Sequence, residues 1–226
     1  GFDLGLINSE MTFNVKKKYL NISDYDQYKD DGNYNVEKIV VESSNIGTAQ
    51  IATMIGKKNQ IDFFEKIGFD KKINVENMEV ANPLGNKNNW GKLETATIGF
   101  GHGFSVTPLH LVKAYATLSK NGYEVNPTLI LNKTSKSKKI LNNESSSKFF
   151  LNLLKAVVYK TEYTGPRVKI DGYEIGGKTG TSELLNPKGG YYKDRNLTSF
   201  IGVFPINNPK YIIYTALEYP KKEKGT

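Results

Sequence analysis

The feature that most constrains the fold of this chain is the order of its hydrophobic patterns, with helical spacing first and strand-like segments later. Apolar residues recur at helical spacing in several segments between residues 36 and 159. Later in the chain, residues 197–204 and 211–217 have the composition of β-strands, and the Pro-Asn-rich stretch 205–209 between them predicts a turn. Helices followed by an antiparallel meander predict a single α+β domain and do not fit a βαβ repeat.

Local signals give the approximate bounds of the helices. The Thr107-Pro108 pair offers a capping hydroxyl and a proline for a first turn, and Gly68 and Gly122 offer helix stops. The predicted helices cover residues 36–41, 46–56, 61–67, 107–121 and 145–159. The polar stretches 8–35, 82–104 and 132–143 predict loops.

Composition excludes several classes of site. The 226 residues include no cysteine, which excludes disulfides, thiolate catalysis and cysteine zinc sites. His102 and His110 are the two histidines, too few for a histidine-based metal centre. We therefore predict neither a metal nor a cofactor, and we expect His102 to be a structural or surface residue.

The net charge of +8 raises the question of nucleic-acid binding. Lysine supplies 29 of the 31 basic residues, and these are spread along the whole chain. Phosphate and base recognition usually recruits arginine for its bidentate fork, and only Arg167 and Arg195 are present. The charge is therefore interpreted as a solvated surface, and no nucleic-acid partner is predicted.

Two short patterns with catalytic potential carry little weight alone. Lys178-Thr179-Gly180 occurs once, and a shuffled chain of this composition would contain such a tripeptide about one time in five. Ser-x-Asn occurs twice, at residues 43–45 and 119–121. The second copy precedes Gly122, where Asn-Gly is ordinary helix capping.

The context of these tripeptides changes their meaning. Four segments resemble, in order, the second motif, the glycine-rich segment, the third motif and the following strand of class B penicillin-binding proteins: residues 42–52, 96–118, 164–183 and 191–205. The resemblance covers nearly the whole chain. It implies a transpeptidase fold like that of serine β-lactamases, with an antiparallel sheet flanked by helices.

The chain departs from the family pattern in one respect. The family's Ser-x-x-Lys motif carries the nucleophile and should precede Ser43, but no such match does. Later matches at Ser135/Lys138 and Ser145/Lys148 are in the wrong order and are rejected; hydroxyls near residue 145 are expected to cap a helix. Residues 1–226 are therefore expected to be a partial transpeptidase domain, truncated at both ends, with the nucleophile shortly upstream.

The resemblance implies roles for three catalytic residues. Ser43 would relay a proton to the departing D-Ala amine, and Asn45 would hold the missing lysine and contact the substrate amide. Lys178 would provide a positive field that disfavours the charged form of that lysine.

Residues after Lys178 are expected to bind substrate. Hydroxyls of Thr179 and Thr181 suit the terminal carboxylate of the donor peptide, and the Thr181 N–H would be one oxyanion donor. Gly177 and Gly180 are expected to let a peptide approach the strand backbone as an added β-strand. Asp194 and Arg195 are expected to form a turn-stabilising pair, and a contact with incoming substrate is the alternative.

The resemblance implies a peptidoglycan D,D-transpeptidase that cross-links D-Ala-D-Ala stem peptides and is acylated by β-lactams. The parent would be anchored in the inner membrane with this domain on the periplasmic side, and would meet divisome or elongasome membrane proteins. Two alternatives stay open: a non-catalytic β-lactam or peptidoglycan sensor of the same fold, and a basic scaffold or nucleic-acid module.

Overall fold

The computed structural model describes residues 1–25, 30–85, 90–133, 136–161 and 164–221. The helices are α1 Val36–Val41, α2 Asn45–Ile55, α3 Lys57–Ile67, α4 Lys92–Gly99, α5 Pro108–Ser119, α6 Glu144–Lys160 and the short α7 Gly165–Val168. The strands are β1 Thr12–Asn14, β2 Asn33–Asn35, β3 Gly176–Leu185, β4 Tyr191–Phe204 and β5 Tyr211–Glu218. This order confirms the predicted α+β class. Within the described ranges, no helix has the length and apolar character needed to cross a membrane.

The three long strands form one antiparallel sheet in the order β3-β4-β5. Lys178 pairs with Ile201 and Gly180 with Ser199, and an irregularity follows Glu183 near the tip of the β3–β4 hairpin. α5 and α6 pack on this sheet through a core of buried Leu154, Val203 and Ile206. Because β3 is an edge strand of the described sheet, one side of its backbone is open to an added strand.

A second core joins the helices that precede the sheet. Val15, Ile39, Ala49 and Ala96 are completely buried there, where α1, α2 and α4 meet the β1–β2 hairpin. A Cβ on Gly99 of α4 would lie 2.5 Å from the Cβ of Ala52 in α2, so a glycine is needed for this close helix contact. Gly99, in the glycine-rich segment, therefore serves the close packing of α4 on α2.

Two stretches predicted as loops contain regular structure. The range 82–104 includes α4, whose first turn is closed locally because Glu94 accepts a hydrogen bond from the Gly91 N–H at 2.8 Å. The buried Gln60 amide donates to Thr95 O at 3.1 Å, which ties α4 to α3. The range 8–35 includes the short β1–β2 hairpin. In both cases tertiary contacts stabilise elements too short to show a clear periodicity.

The start of α6 differs from expectation. Ser147 donates its hydroxyl hydrogen bond to Leu118 O, and Ser146 donates to Asp3 Oδ1 at 2.9 Å. Asp3 also accepts from the backbone N–H of Asn142 and Asn143 at 3.0 Å. The predicted capping by local hydroxyls is therefore wrong: no side chain at the start of α6 caps it, and Asp3 binds the backbone N–H groups that immediately precede the helix.

Candidate active site

A sharp elbow between α1 and α2 presents the first Ser-x-Asn copy. Ser43 is exposed and has φ of +54°, a left-handed conformation that is unfavourable for a residue with a Cβ. The helical interruption predicted at residues 42–45 is confirmed at this point. Ser44 is buried and caps α2, accepting from the Gly47 N–H at 3.0 Å.

Asp24 fixes the elbow from outside the motif. Its carboxylate accepts from the Ser44 hydroxyl at 2.6 Å and from the Ile46 N–H at 2.9 Å. An acidic group at a helix N-terminus is also favoured by the helix dipole. The sequence interpretation missed this residue, because it lies in a polar stretch with no periodicity to connect it with α2.

Lys178 lies on β3 between two glycines, Gly177 and Gly180, whose surroundings differ. A Cβ on Gly177 would lie 2.3 Å from Phe200 Cζ and 2.6 Å from Ile201 O. Gly177 is therefore required by packing inside the sheet, and its predicted role in substrate approach is wrong. A Cβ on Gly180 would meet only the Ser199 hydroxyl, at 2.9 Å. The proposed role of Gly180 in letting a substrate peptide approach the strand therefore stays a prediction.

The Lys178 ammonium connects the sheet with the elbow. Its Nζ donates a hydrogen bond to Ser43 Oγ and another to Thr179 O at 3.2 Å. Lys178 is half-buried, and desolvation lowers its pKa below the ordinary value of 10.5. No carboxylate of the described residues forms an ion pair with it. The result is a partly desolvated cation in contact with a hydroxyl.

The other predicted site residues lie on the same two elements. Asn45 begins α2 and is half-buried, and no hydrogen bond with another described residue occupies its side-chain amide. Thr179 and Thr181 are exposed on β3, with Thr179 Oγ1 3.5 Å from the Lys178 Nζ. Gly180 O accepts from the Ser199 hydroxyl at 3.4 Å. The arrangement combines a cation, hydroxyls and an amide at one end of an open strand edge, which suits a peptide carrying a carboxylate.

The second Ser-x-Asn copy lies at the end of α5. Asn121 has φ of +51°, and the Gly122 N–H donates to Thr117 O at 3.1 Å, which closes the helix. The predicted capping role is confirmed. Of the two rejected Ser-x-x-Lys matches, Ser145/Lys148 lies in α6, and Ser135 lies outside the described residues.

Both histidines have structural surroundings. His110 is fully buried; its Nδ1 accepts from the Thr107 N–H at 3.3 Å, and its Nε2 lies 3.0 Å from Lys71 O. His102 is exposed, and its ring centroid lies 5.2 Å from that of Tyr191. Among the described residues, no group of three or more potential ligands is arranged to hold a metal ion.

Asp194 and Arg195 do not stabilise a turn. Both lie inside β4, and the Arg195 guanidinium lies over the rings of Tyr192 and Tyr219, with its Cζ 4.3 and 5.3 Å from their centroids. The predicted pairing is wrong, because the guanidinium contacts these two aromatic rings and no ion pair joins it to Asp194.

Comparisons with known proteins agree with this geometry. The family model described as the penicillin-binding protein transpeptidase domain matches residues 1–226. A Caulobacter vibrioides protein, described as a probable peptidoglycan D,D-transpeptidase FtsI, is 31% identical over 235 residues, covering 98% of this chain and 39% of the relative. The Buchnera aphidicola peptidoglycan D,D-transpeptidase FtsI is 32% identical over 195 residues, covering 82% and 33%. The chain thus spans about two fifths or less of these relatives.

Solved structures share the fold. The transpeptidase domain of Burkholderia pseudomallei penicillin-binding protein 3 superposes with a TM-score of 0.85 at 23% identity, covering 97% of this chain and 67% of that one. Mycobacterium tuberculosis penicillin-binding protein 3, solved in complex with ampicillin, gives a TM-score of 0.83 at 23% identity, covering 97% and 53%.

Proposed function

This chain belongs to the transpeptidase-domain family of penicillin-binding proteins, as its sequence resemblance predicted, and from that premise we propose that it carries most of the cleft of a serine D,D-transpeptidase. The substrate is a peptidoglycan stem peptide ending in D-Ala-D-Ala. The observation that carries the proposal is the hydrogen bond from the Lys178 ammonium to the Ser43 hydroxyl, which joins the second and third family motifs.

The direction of this hydrogen bond suits a proton relay. An ammonium can only donate, so Ser43 Oγ accepts from Lys178 and its own hydrogen is free to point elsewhere. In that arrangement Ser43 gives its proton to a departing amine and recovers one from the lysine side. The lowered pKa of Lys178 makes such a transfer less costly.

The proposed reaction is an acyl transfer in two steps. A serine hydroxyl from a Ser-x-x-Lys segment N-terminal to this chain attacks the carbonyl carbon of the penultimate D-Ala, and its proton passes to the lysine of that segment. The C–N bond to the terminal D-Ala breaks, and the amine leaves with a proton relayed by Ser43. An amine of a second stem peptide then attacks the ester, forms the cross-link and regenerates the serine.

Substrate binding is assigned to the edge of β3. The donor peptide would lie antiparallel to β3, with its terminal carboxylate near Lys178 and the hydroxyls of Thr179 and Thr181. Gly180 leaves space beside the strand, and the Thr181 N–H would donate to the oxyanion. Asn45 would hold the upstream lysine and contact the substrate amide. β-Lactams would acylate the same serine.

The remaining parts of the proposal concern the parent protein. It would be anchored in the inner membrane with this domain on the periplasmic side, and divisome or elongasome membrane proteins would be its partners. Support comes from the family membership and from relatives described as peptidoglycan D,D-transpeptidases.

Covalent labelling of the full-length gene product with a fluorescent penicillin tests the proposal. We expect a stable adduct on a serine upstream of this chain, located by peptide mapping, together with release of D-Ala from a pentapeptide substrate. An adduct without D-Ala release would favour the sensor alternative over the enzyme. Absence of any adduct would refute the proposal, and an adduct on the 226-residue chain alone would refute the placement of the serine.

A further inference from the structure

The elbow that carries Ser-x-Asn is held by hydrogen bonds from two sides. On the α1 side, the Ser44 N–H donates to Ile39 O at 3.0 Å, a bond within the end of the helix. On the α2 side, the Asp24 carboxylate accepts from the Ser44 hydroxyl and from the Ile46 N–H. The second set of bonds therefore comes from a segment 20 positions before Ser44.

The two oxygens of Asp24 bind on either side of Asn45. Oδ2 accepts from the Ser44 hydroxyl at 2.6 Å, and Oδ1 accepts from the Ile46 N–H at 2.9 Å. A carboxylate with both oxygens bonded cannot rotate without breaking one of these bonds. The residues before and after Asn45 are therefore fixed relative to each other, and so is the direction in which α2 begins.

The hydroxyl of Ser44 extends this contact along the elbow. It has one hydrogen, which is donated to Asp24, so its lone pairs are left to accept. One of them accepts from the Gly47 N–H at 3.0 Å, the bond that caps α2. Because Ser44 is only 1% exposed, water does not replace either partner. The carboxylate thus sets the orientation of the helix cap.

Asp24 is itself supported by the hydrophobic core. Ile22, two positions earlier, is buried in the same cluster as Ile46 and Ala49 of α2. The Ile22 N–H donates to Tyr19 O at 2.8 Å, which closes a turn just before Asp24. These contacts give the carboxylate a fixed position relative to α2, which an unsupported loop residue would not have.

Ser43 depends on this support because its backbone conformation is unfavourable. A φ of +54° is costly for a residue with a Cβ, and such a conformation persists only where the surrounding structure enforces it. Release of the bonds to Asp24 would allow Ser43 to relax towards a negative φ. Its hydroxyl would then move relative to the Lys178 ammonium, to which it is hydrogen-bonded.

We propose that Asp24 is a positioning residue for transpeptidation, which holds Asn45 and the Ser43 hydroxyl in the geometry that acyl transfer requires. The inference rests on the function proposed above. It goes beyond a contribution to stability, because it gives Asp24 an effect on the reaction rate of the folded enzyme. A displacement of about 1 Å in a reacting group can slow a reaction about 100-fold.

Penicillin acylation of the full-length gene product carrying Asp24→Asn tests this inference. The amide keeps the size of the side chain and one acceptor oxygen, but its NH₂ group cannot accept the second hydrogen bond. We expect the acylation rate constant to fall about tenfold or more, with a smaller change in the dissociation constant of the initial non-covalent complex. Asp30→Asn is the matched control, because Asp30 binds Lys38 and the Gly32 N–H instead of the elbow, and it should acylate at the wild-type rate.

Ser44→Ala separates positioning from folding. It should also slow acylation, and Asp24→Asn/Ser44→Ala should be hardly slower than the worse single variant, because both changes remove the same contact. Rates are compared well below the melting temperature of each variant, so a loss of stability alone does not alter them. If Asp24→Asn does not fold, the rate of Ser44→Ala decides.

Two results would overturn the inference while leaving the proposed function intact. One is wild-type acylation by folded Asp24→Asn or, in its absence, by Ser44→Ala, whatever the melting temperature. The other is a double variant in which the two effects multiply. Absence of an adduct on the wild-type protein would refute the proposed function and this inference together.

Discussion

The ammonium of Lys178 on β3 donates a hydrogen bond to the hydroxyl of Ser43, which is 135 positions earlier in the elbow between α1 and α2. This contact brings together a strand residue and a helix-elbow residue that the sequence alone could connect only through family resemblance. In the proposed mechanism, this contact allows Lys178, in the third family motif, to support the proton relay by Ser43, in the second motif.

The pH dependence of acylation should report the protonation of Lys178. Because desolvation lowers its pKa below 10.5, the ammonium loses its proton at lower pH in the folded protein than in an unfolded chain. We expect the penicillin acylation rate to fall on an alkaline limb with a midpoint below 10.5. In Lys178→Arg this limb should move to higher pH, since a guanidinium stays charged. The same midpoint in both proteins would exclude Lys178 as its origin.

Asp24→Ala should loosen the elbow. The substitution removes the acceptor of both the Ser44 hydroxyl and the Ile46 N–H, so it should lower the free energy of unfolding by about 1–3 kcal/mol. The control is Asp62→Ala, which removes an exposed carboxylate paired with Lys58 on α3 and should cost about 0–1 kcal/mol. Urea unfolding measures both. Equal effects would contradict the role assigned to Asp24.

Two glycines on β3 should respond differently to alanine. Gly177→Ala places a Cβ against Phe200 and the Ile201 backbone, and should destabilise the protein by about 1–3 kcal/mol. Gly180→Ala meets only a hydroxyl that can rotate, so it should change stability less. It should nevertheless slow acylation, because it fills space proposed for the substrate. Unchanged acylation in a folded Gly180→Ala variant would refute that assignment.

Glu76 should contribute stability that is sensitive to acid. Its carboxylate accepts from Lys133 Nζ at 2.5 Å, and from the Thr128 hydroxyl and the Leu129 N–H at 3.0 Å. The Lys133 hydrogen bond is the main reason why its pKa falls from 4.5 to about 2. Since the folded-state pKa is the lower one, the contribution is complete above pH 4.5 and is lost as the pH falls towards about 2.

Comparison of wild type with Glu76→Gln measures this contribution. We expect the wild type to be more stable at neutral pH, and the difference in free energy of unfolding to narrow below pH 4.5. A difference that stays constant across this range would show that the carboxylate charge contributes nothing.

The sequence predicted those parts of the structure that depend on local chemistry or on the order of motifs. The break at residues 42–45 and the stop at Gly68 follow from periodicity and glycine placement, and the strand carrying Lys178 was expected from the family resemblance. The joining of Ser43 to Lys178 was expected because four segments match one family in order.

The parts that were missed depend on contacts between distant residues. Asp24 caps α2 from 22 positions before Ile46, and Asp3 meets the start of α6 from 139 positions before Asn142. A carboxylate in a polar stretch carries no sign of the helix that it will cap. The role of Gly177 was misassigned for a related reason, since its neighbour Phe200 comes from the adjacent strand.

A double-mutant cycle on penicillin acylation by the full-length gene product tests the central claim most directly. Lys178→Ala alone should slow acylation by about 100-fold or more, and Ser43→Ala should also slow it strongly. If the two residues act through one hydrogen bond, Ser43→Ala/Lys178→Ala should be hardly slower than the worse single variant. Multiplicative effects of the two substitutions, or a Lys178→Ala variant that acylates at the wild-type rate, would contradict the account.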